Sequence, residues 1–120
     1  MMKYLTVLFT VLLLAACSTT PPPTSNVESD WQAFGYDRAM KGWIVQSETK
    51  LVKLSDGKAV SEENYQAYLD GYTKGQEEYC DQSAYMLGVV GKQYNGICDR
   101  IDPFFRQDYV NGMHSTAGGM

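Results

Sequence analysis

Three copies of a tyrosine followed three residues later by a glycine constrain the fold of this chain most: Tyr68-x-x-Gly71, Tyr85-x-x-Gly88 and Tyr109-x-x-Gly112. Residues three apart share one face of an α-helix, so each copy places an aromatic ring beside a gap. Glycine costs about 1 kcal/mol against alanine inside a helix, so its repetition indicates close approach to the backbone. We predict core contacts between short helices. An exposed tyrosine-lined groove for an extended peptide or a sugar is the alternative.

The N-terminus predicts a cleaved lipoprotein signal peptide at residues 1–16. Met1 to Lys3 form a short positive region, and Tyr4 to Leu14 are almost all apolar. This run is too short to span the roughly 30 Å hydrocarbon core of a bilayer as a helix. The Leu-Ala-Ala-Cys that follows resembles a lipobox, which implies that Cys17 is the first mature residue and carries acyl chains such as palmitate. An ordinary signal that leaves Cys17 as a free thiol is the alternative.

Residues 17–28 read as the lipidated cysteine and a flexible tether, because three consecutive prolines occur there without any apolar period. At about 3.1 Å per residue, the tether would hold the domain on the order of 30 Å from the lipid. The folded domain is predicted at 29–113 and a frayed tail at 114–120. By analogy with enterobacterial sorting, Ser18 favours the outer membrane, with the domain facing the periplasm.

Local signals predict a mainly α fold, one small domain of about four short helices with irregular loops. Ser29 to Gln32 has the form of a capping box and should begin a helix of about 30–41 that ends near Gly42. Ser61 should cap the longest helix, about 62–79, which carries an aromatic stripe.

The remaining segments are read less directly. Trp43 to Val60 is predicted to be mostly loop, with Leu51 to Leu54 readable as a short strand and Ser55 to Lys58 as a turn. Asp102 followed by Pro103 should begin a last helix of about 103–111.

Two further cysteines, Cys80 and Cys98, flank the second tyrosine-glycine copy. Since the signal sends the chain to an oxidising compartment and Cys17 is taken by lipid, an intramolecular disulfide is the default. Closing a loop of this size should stabilise the fold by roughly 3 kcal/mol. A metal site is disfavoured, because the single histidine, His114, completes no four-ligand set. We therefore expect no metal and no cofactor.

The charge balance excludes one class of partner. Without its signal, the chain has nine basic and fourteen acidic residues, a net charge near −5. The basic residues are not clustered, so binding of nucleic acid is not expected, and anionic headgroups should repel the domain as a whole. The acidic residues read as solvated helix faces, with a cationic partner as the alternative.

A family resemblance rests on a longer series: Tyr68-x-x-Gly71-x-x-x-Gly75-x-x-x-Tyr79-Cys80, then Tyr85-x-x-Gly88-x-x-Gly91-x-x-Tyr94-x-Gly96-x-Cys98, then Phe105-x-x-x-Tyr109-x-x-Gly112, with Trp31-x-x-x-Gly35 upstream. It resembles the proteobacterial lipoproteins grouped as domain of unknown function 2799. The resemblance covers nearly the whole mature domain and implies an envelope location and this architecture, without an activity. The chain lacks the further cysteine and histidine that many relatives carry between the first two helices, and Ala84 replaces a usual glycine.

No catalytic constellation can be recognised. The only histidine lies in the predicted tail, no G-x-S-x-G motif occurs, and Gly88 to Lys92 lacks P-loop spacing. Fourteen acidic residues leave a carboxylate pair of the glycosidase type open. We expect a non-catalytic cell-envelope lipoprotein, not an enzyme, with a structural or protein-interaction role and an unknown envelope protein as partner.

The alternative is a periplasm-facing binding module or inhibitor, for example of a glycan hydrolase. Acidic residues and tyrosines would face a cationic enzyme, and the possible interaction surface consists of Tyr65, Tyr72, Tyr85 and Tyr94.

Overall fold

The computed structural model describes residues 20–118. Five α-helices occur there: α1 Glu28–Met40, α2 Glu48–Leu54, α3 Glu62–Cys80, α4 Ala84–Val89 and α5 Phe105–Gly118. No β-strand occurs within this range. The predicted mainly helical class with one disulfide is confirmed, with five helices instead of about four. The predicted signal peptide and Cys17 lie outside the described residues. None of the described helices has the length and apolar character needed to cross a bilayer.

The start of α1 differs from the prediction. The helix begins at Glu28, so Ser29 lies inside its first turn, and the N-cap residue Val27 makes no side-chain capping bond. Ser25 takes over part of this role: its Oγ accepts from the Val27 amide at 3.4 Å and donates to Asp30 Oδ2 at 2.6 Å. The predicted end is confirmed, because the helix closes before Gly42, which has φ +76°.

Helix α2 corrects the prediction of loop or strand after Trp43. Ser47 caps it, with its Oγ accepting from the Lys50 amide at 3.2 Å. Leu51 is fully buried on its inner side, so one anchored leucine and one cap are enough for two helical turns. The turn predicted after α2 is confirmed, with positive φ at Asp56 and Gly57.

Helix α3 follows the prediction closely, and α5 does not. Ser61 Oγ accepts from the Asn64 amide at 3.1 Å, and α3 extends to Cys80. Helix α5 begins at Phe105, two residues later than predicted. Just before it, Asp102 Oδ1 accepts a hydrogen bond from the Phe104 amide at 3.0 Å. It continues to Gly118, so residues 114–118 are helical instead of forming the predicted frayed tail.

Helices α1 and α3 pack in the same direction with their backbones in contact. A Cβ on Gly71 would meet the Gln32 carbonyl, and one on Gly75 would meet the Tyr36 carbonyl one turn further along both helices. Tyr36 then donates its hydroxyl hydrogen to Glu78 beyond that. This pair carries the first core cluster, which consists of Trp31, Leu51, Val60, Ala67 and Tyr68.

Helices α4 and α5 pack through the same kind of contact between glycines and backbone carbonyls. A Cβ on Gly88 would meet the Tyr109 carbonyl, and one on Gly112 would meet the Tyr85 carbonyl, both at less than 3.0 Å. Each glycine therefore receives the carbonyl of the residue three positions before the other glycine. The prediction that the tyrosine-glycine units make core contacts between short helices is confirmed for the backbone of these two units.

The second core cluster joins the two helix pairs. It contains Tyr79 from the end of α3, Ala84 and Leu87 from α4, Ile97 and Cys98 from the following loop, and Phe105 from α5. The predicted disulfide is present: Cys80, the last residue of α3, is bonded to the buried Cys98. This bridge ties the end of the first helix pair to the loop that leads into α5.

The proline-rich segment lies against the domain from Thr20 onward. Pro22 is buried, and the three prolines line one depression together with Trp31, Leu54 and Val60. The Trp31 indole N–H donates to the Ser25 carbonyl at 2.9 Å. The described part of the predicted flexible tether is thus docked, because an indole plate and two aliphatic side chains offer its prolines an apolar surface.

Candidate functional site

A groove between α3 and two loops is the strongest candidate for a binding site. Its volume is about 650 Å³, and more of its lining is apolar than polar. One wall is the segment Ile44–Val45, the floor comes from α3, and the other wall is the loop 95–100. The lining residues are Ile44, Val45, Leu69, Tyr72, Thr73, Gln76, Asn95, Gly96, Ile97, Asp99 and Arg100.

Buried hydroxyl groups hold the first wall in place. The Tyr72 hydroxyl donates to the Trp43 carbonyl at 2.8 Å, and the Tyr68 hydroxyl accepts from the Gln46 amide at 3.0 Å. Burial raises the pKa of Tyr72 to about 12, which keeps this donor protonated. The side chains of Ile44 and Val45, between these two anchor points, are 58% and 41% exposed. A fixed backbone therefore presents two uncovered aliphatic side chains.

The opposite wall is fixed by a polar network beside the disulfide. The Tyr94 hydroxyl donates to Asp99 Oδ1 and accepts from the Cys98 amide, while Arg106 Nη2 donates to Asp99 Oδ2 at 2.8 Å. The Arg106 bond first, and the Tyr94 bond second, lower the pKa of Asp99. Desolvation, followed by the bond to Asp99, raises the pKa of Tyr94. Arg100, next to this network, forms no ion pair with the described residues.

A bond across the floor connects the two walls. Gln76 Nε2 donates to the Ile97 carbonyl at 2.7 Å, so α3 holds the loop that carries Cys98. Together with the disulfide, this gives a groove that is largely formed before any ligand arrives, which is the usual character of a binding site.

A second, acidic cleft lies where the N-terminal ends of α1 and α3 meet. Its volume is about 470 Å³, and its carboxylates belong to Glu28, Glu62, Glu63 and Asp70. No ion pair joins any of them to another described residue. The cleft is at the opposite end of α1 from Lys41, roughly 20 Å away for a helix of this length.

The four tyrosines proposed as an interaction surface are not brought together. Tyr72 corrects that proposal directly, because its ring is only 5% exposed and forms part of the groove floor. Tyr65 is half-buried and stacks on Tyr68 in the first core. Tyr94 is half-buried in the second core, whereas Tyr85 is 44% exposed on α4.

Sequence reasoning missed Ile44, Val45 and Arg100, which the structure places in the groove. The signal was present in Trp43 to Val45, since three consecutive apolar residues outside a helix need either burial or a partner. Within residues 20–118, no three of His, Cys, Asp and Glu are arranged to hold a metal ion.

A small helical domain with two glycine-packed helix pairs and one disulfide defines the class of fold. A family model matches residues 30–114, and the chain belongs to that family, which is described as a protein of unknown function (DUF2799). The uncharacterized protein YfiL of Escherichia coli strain K12 is 27% identical over 106 residues, which cover 85% of this chain and 81% of YfiL. No solved structure matches the chain significantly.

Proposed function

We propose that this chain is a non-catalytic, lipid-anchored protein of the outer membrane whose periplasm-facing domain binds a segment of another envelope protein. The anchor would be Cys17, after removal of residues 1–16. The observation that carries the interaction role is the groove, because it exposes aliphatic side chains on a rigid backbone in a domain whose other grooves are more polar or more open.

The chemistry of the groove indicates its occupant. Ile44, Val45 and Leu69 offer an apolar strip, and Thr73 and Asn95 offer hydrogen-bonding groups along its rim. Arg100, which forms no ion pair with another described residue, supplies a positive charge at one side. An extended peptide segment with apolar side chains and one carboxylate satisfies all three, in the way that peptide-binding grooves combine side-chain pockets with a charged clamp.

The non-catalytic reading is supported by the position of the only histidine. His114 is exposed on α5, and no serine or cysteine nucleophile is hydrogen-bonded to it in the described chain. Cys80 and Cys98 are both used in the disulfide. Hydrolysis of cell-wall glycan or peptide by the purified protein at a useful rate would overturn this reading.

Site-specific crosslinking in intact cells tests the groove. A photoreactive amino acid at Thr73, on the exposed rim, should capture one envelope protein, and the same probe at the exposed Gln107 on α5 should not. A Val45→Asp substitution should abolish the capture at Thr73, because it places a charge in the apolar strip. Equal capture at both probe positions would overturn the groove as the binding site.

A second candidate function is favoured by the acidic cleft. Four carboxylates in one concave surface, none of them ion-paired within residues 20–118, suit a cationic protein, such as a glycan hydrolase of basic charge that the domain would inhibit. Protection in a lysozyme assay that depends on Glu62 and Glu63, together with capture by a probe at Gln66 instead of Thr73, would favour this candidate over the groove.

A further inference from the structure

The described chain begins next to the C-terminal end of α1. Lys41 Nζ lies 3.5 Å from Thr20 Oγ1, and from there the proline segment continues along the domain to Ser25. Docked residues therefore start only three positions after Cys17. Three residues span at most about 11 Å, so a lipid on Cys17 would lie within about that distance of the Lys41 end of the domain, not on the order of 30 Å away.

The surface at this end has the residue types of a membrane interface. The Trp43 ring is half-buried, with Arg38 Cζ 5.3 Å and Lys41 Nζ 5.0 Å from its centroid. Ile44, the next residue, is 58% exposed. Indole rings favour the level of the headgroups, cationic side chains bind lipid phosphates, and an aliphatic side chain can enter the acyl region. These four residues are called the interfacial patch below.

The interfacial patch is held rigidly. Arg38 Nε donates to the Ile44 carbonyl at 2.6 Å, and the Trp43 indole N–H donates to Gln93 Oε1 at 3.1 Å. Lys41 also pairs with Asp37 at 2.9 Å, so the patch together with Asp37 has a net charge of about one positive unit. The fixed ring of Trp43 and the fixed backbone at Ile44 lose little conformational freedom when they meet a surface.

The distribution of charge orients the domain. The carboxylates of the acidic cleft lie at the other end of α1, roughly 20 Å from Lys41. An anionic bilayer repels that end and attracts the patch. The acidic domain can therefore touch the membrane through this basic and aromatic end, although its net charge is negative.

We infer that the interfacial patch of Arg38, Lys41, Trp43 and Ile44 docks on the phospholipid bilayer that carries the anchor, with the acidic cleft directed away from it. This inference rests on the proposed lipid anchor at Cys17. Ile44 also belongs to one wall of the groove, so a bound peptide segment would lie beside the lipid surface, which suits a partner that is itself attached to the membrane.

Brominated phospholipids test this contact with the full lipidated chain. The protein is reconstituted into vesicles of phosphatidylethanolamine and phosphatidylglycerol, with bromine on the acyl chains of one matched set. Trp43 emission should be quenched by the brominated set and shifted to shorter wavelength. A Trp43→Phe variant should lose that quenching, because the remaining Trp31 is buried in the first core.

Matched variants separate the patch from the rest of the surface. Ile44→Ser should lose much of the quenching, whereas Val27→Ser should keep it, since Val27 is 53% exposed at the opposite end of α1. Vesicles of neutral phosphatidylcholine should give weaker quenching than the anionic set.

Flotation of the vesicles distinguishes the two levels of the hypothesis. Protein that floats without quenching of Trp43 would overturn the docked orientation and leave the anchor standing. Equal quenching in wild type and Ile44→Ser would overturn the assignment of this face. Protein that does not float would overturn the anchor, and with it the docking that rests on it.

Discussion

Gly71 lies directly against the carbonyl oxygen of Gln32, so that a Cβ at this position would come closer to that oxygen than real Cβ atoms approach. The relation is reciprocal, because a Cβ on Gly35 would meet the Tyr68 carbonyl in the same way. Both obstacles are backbone atoms, which no change of side-chain rotamer can move. The helix pair therefore requires hydrogen at these positions.

Gly71→Ala should destabilise the domain by more than about 3 kcal/mol, because α1 and α3 must separate along their whole contact. Gly91→Ala is the control. Its position has φ +73° with open space around it, so only the backbone conformation is strained, at about 1 kcal/mol. Urea unfolding followed by circular dichroism measures both. Equal midpoints for the two variants would contradict the backbone contact.

Cys80→Ser and Cys98→Ser should each destabilise the domain by roughly 3 kcal/mol, since the bridge closes a loop over a sequence separation of 18. The double variant should add little, because either single change already opens the loop. Unfolding of the four proteins under oxidising conditions gives the comparison. A double variant whose loss equalled the sum of the single losses would show that the cysteines act separately.

Alkaline pH should destabilise the fold through two buried phenols. Burial raises the pKa of both Tyr72 and Tyr79 to about 12, against about 10 in the unfolded chain. Their contribution is complete below pH 10 and is lost as pH rises from 10 to about 12, because the unfolded state releases the protons first.

Tyr79→Phe should therefore reduce the slope of the unfolding free energy against pH in that window by the equivalent of one proton. The variant also loses the 2.7 Å hydrogen bond to the Gln93 carbonyl. Unfolding free energies measured between pH 9 and 12 for the wild type and the variant check this expectation. An unchanged slope in Tyr79→Phe would contradict the burial of this phenol.

The docked proline segment predicts a difference between two neighbouring residues. Pro22→Ser should cost about 1 to 2 kcal/mol, because the ring is buried, whereas Pro21→Ser should stay within about 0.5 kcal/mol, because that ring is exposed. Urea unfolding of the chain from Ser18 onward measures the difference. Two equal and negligible effects would restore the picture of a free tether.

The sequence was informative where the signal is local. Ser61 and the tyrosine stripe predicted α3, because a helix cap and a helical period both belong to a single element. Cys80 and Cys98 predicted the bridge, because a pair of cysteines in an exported chain is expected to form a disulfide. Helix α2 was missed, although Ser47 was a usable cap, because a seven-residue helix has little periodicity and owes its stability to one buried leucine.

What could not be predicted depends on which elements meet. The unit that packs against Tyr68-x-x-Gly71 is Gln32-x-x-Gly35. It has glutamine in place of the tyrosine, so it is not recognised as one of the tyrosine-glycine repeats. The groove has the same character, since Ile44 and Ile97 are far apart in sequence and are joined through α3. The docking of Pro22 depends likewise on the Trp31 plate, which composition alone does not reveal.

The shared direction of α1 and α3 has an electrostatic consequence, because the dipoles of parallel helices reinforce each other instead of cancelling. Their positive ends meet at the acidic cleft, where Glu28, Glu62 and Glu63 occupy the first helical turns. Each carboxylate there stabilises its helix by about 0.3 to 1 kcal/mol. A cationic partner that bound in the cleft would therefore compete with the positive ends of these two helices for the same carboxylates.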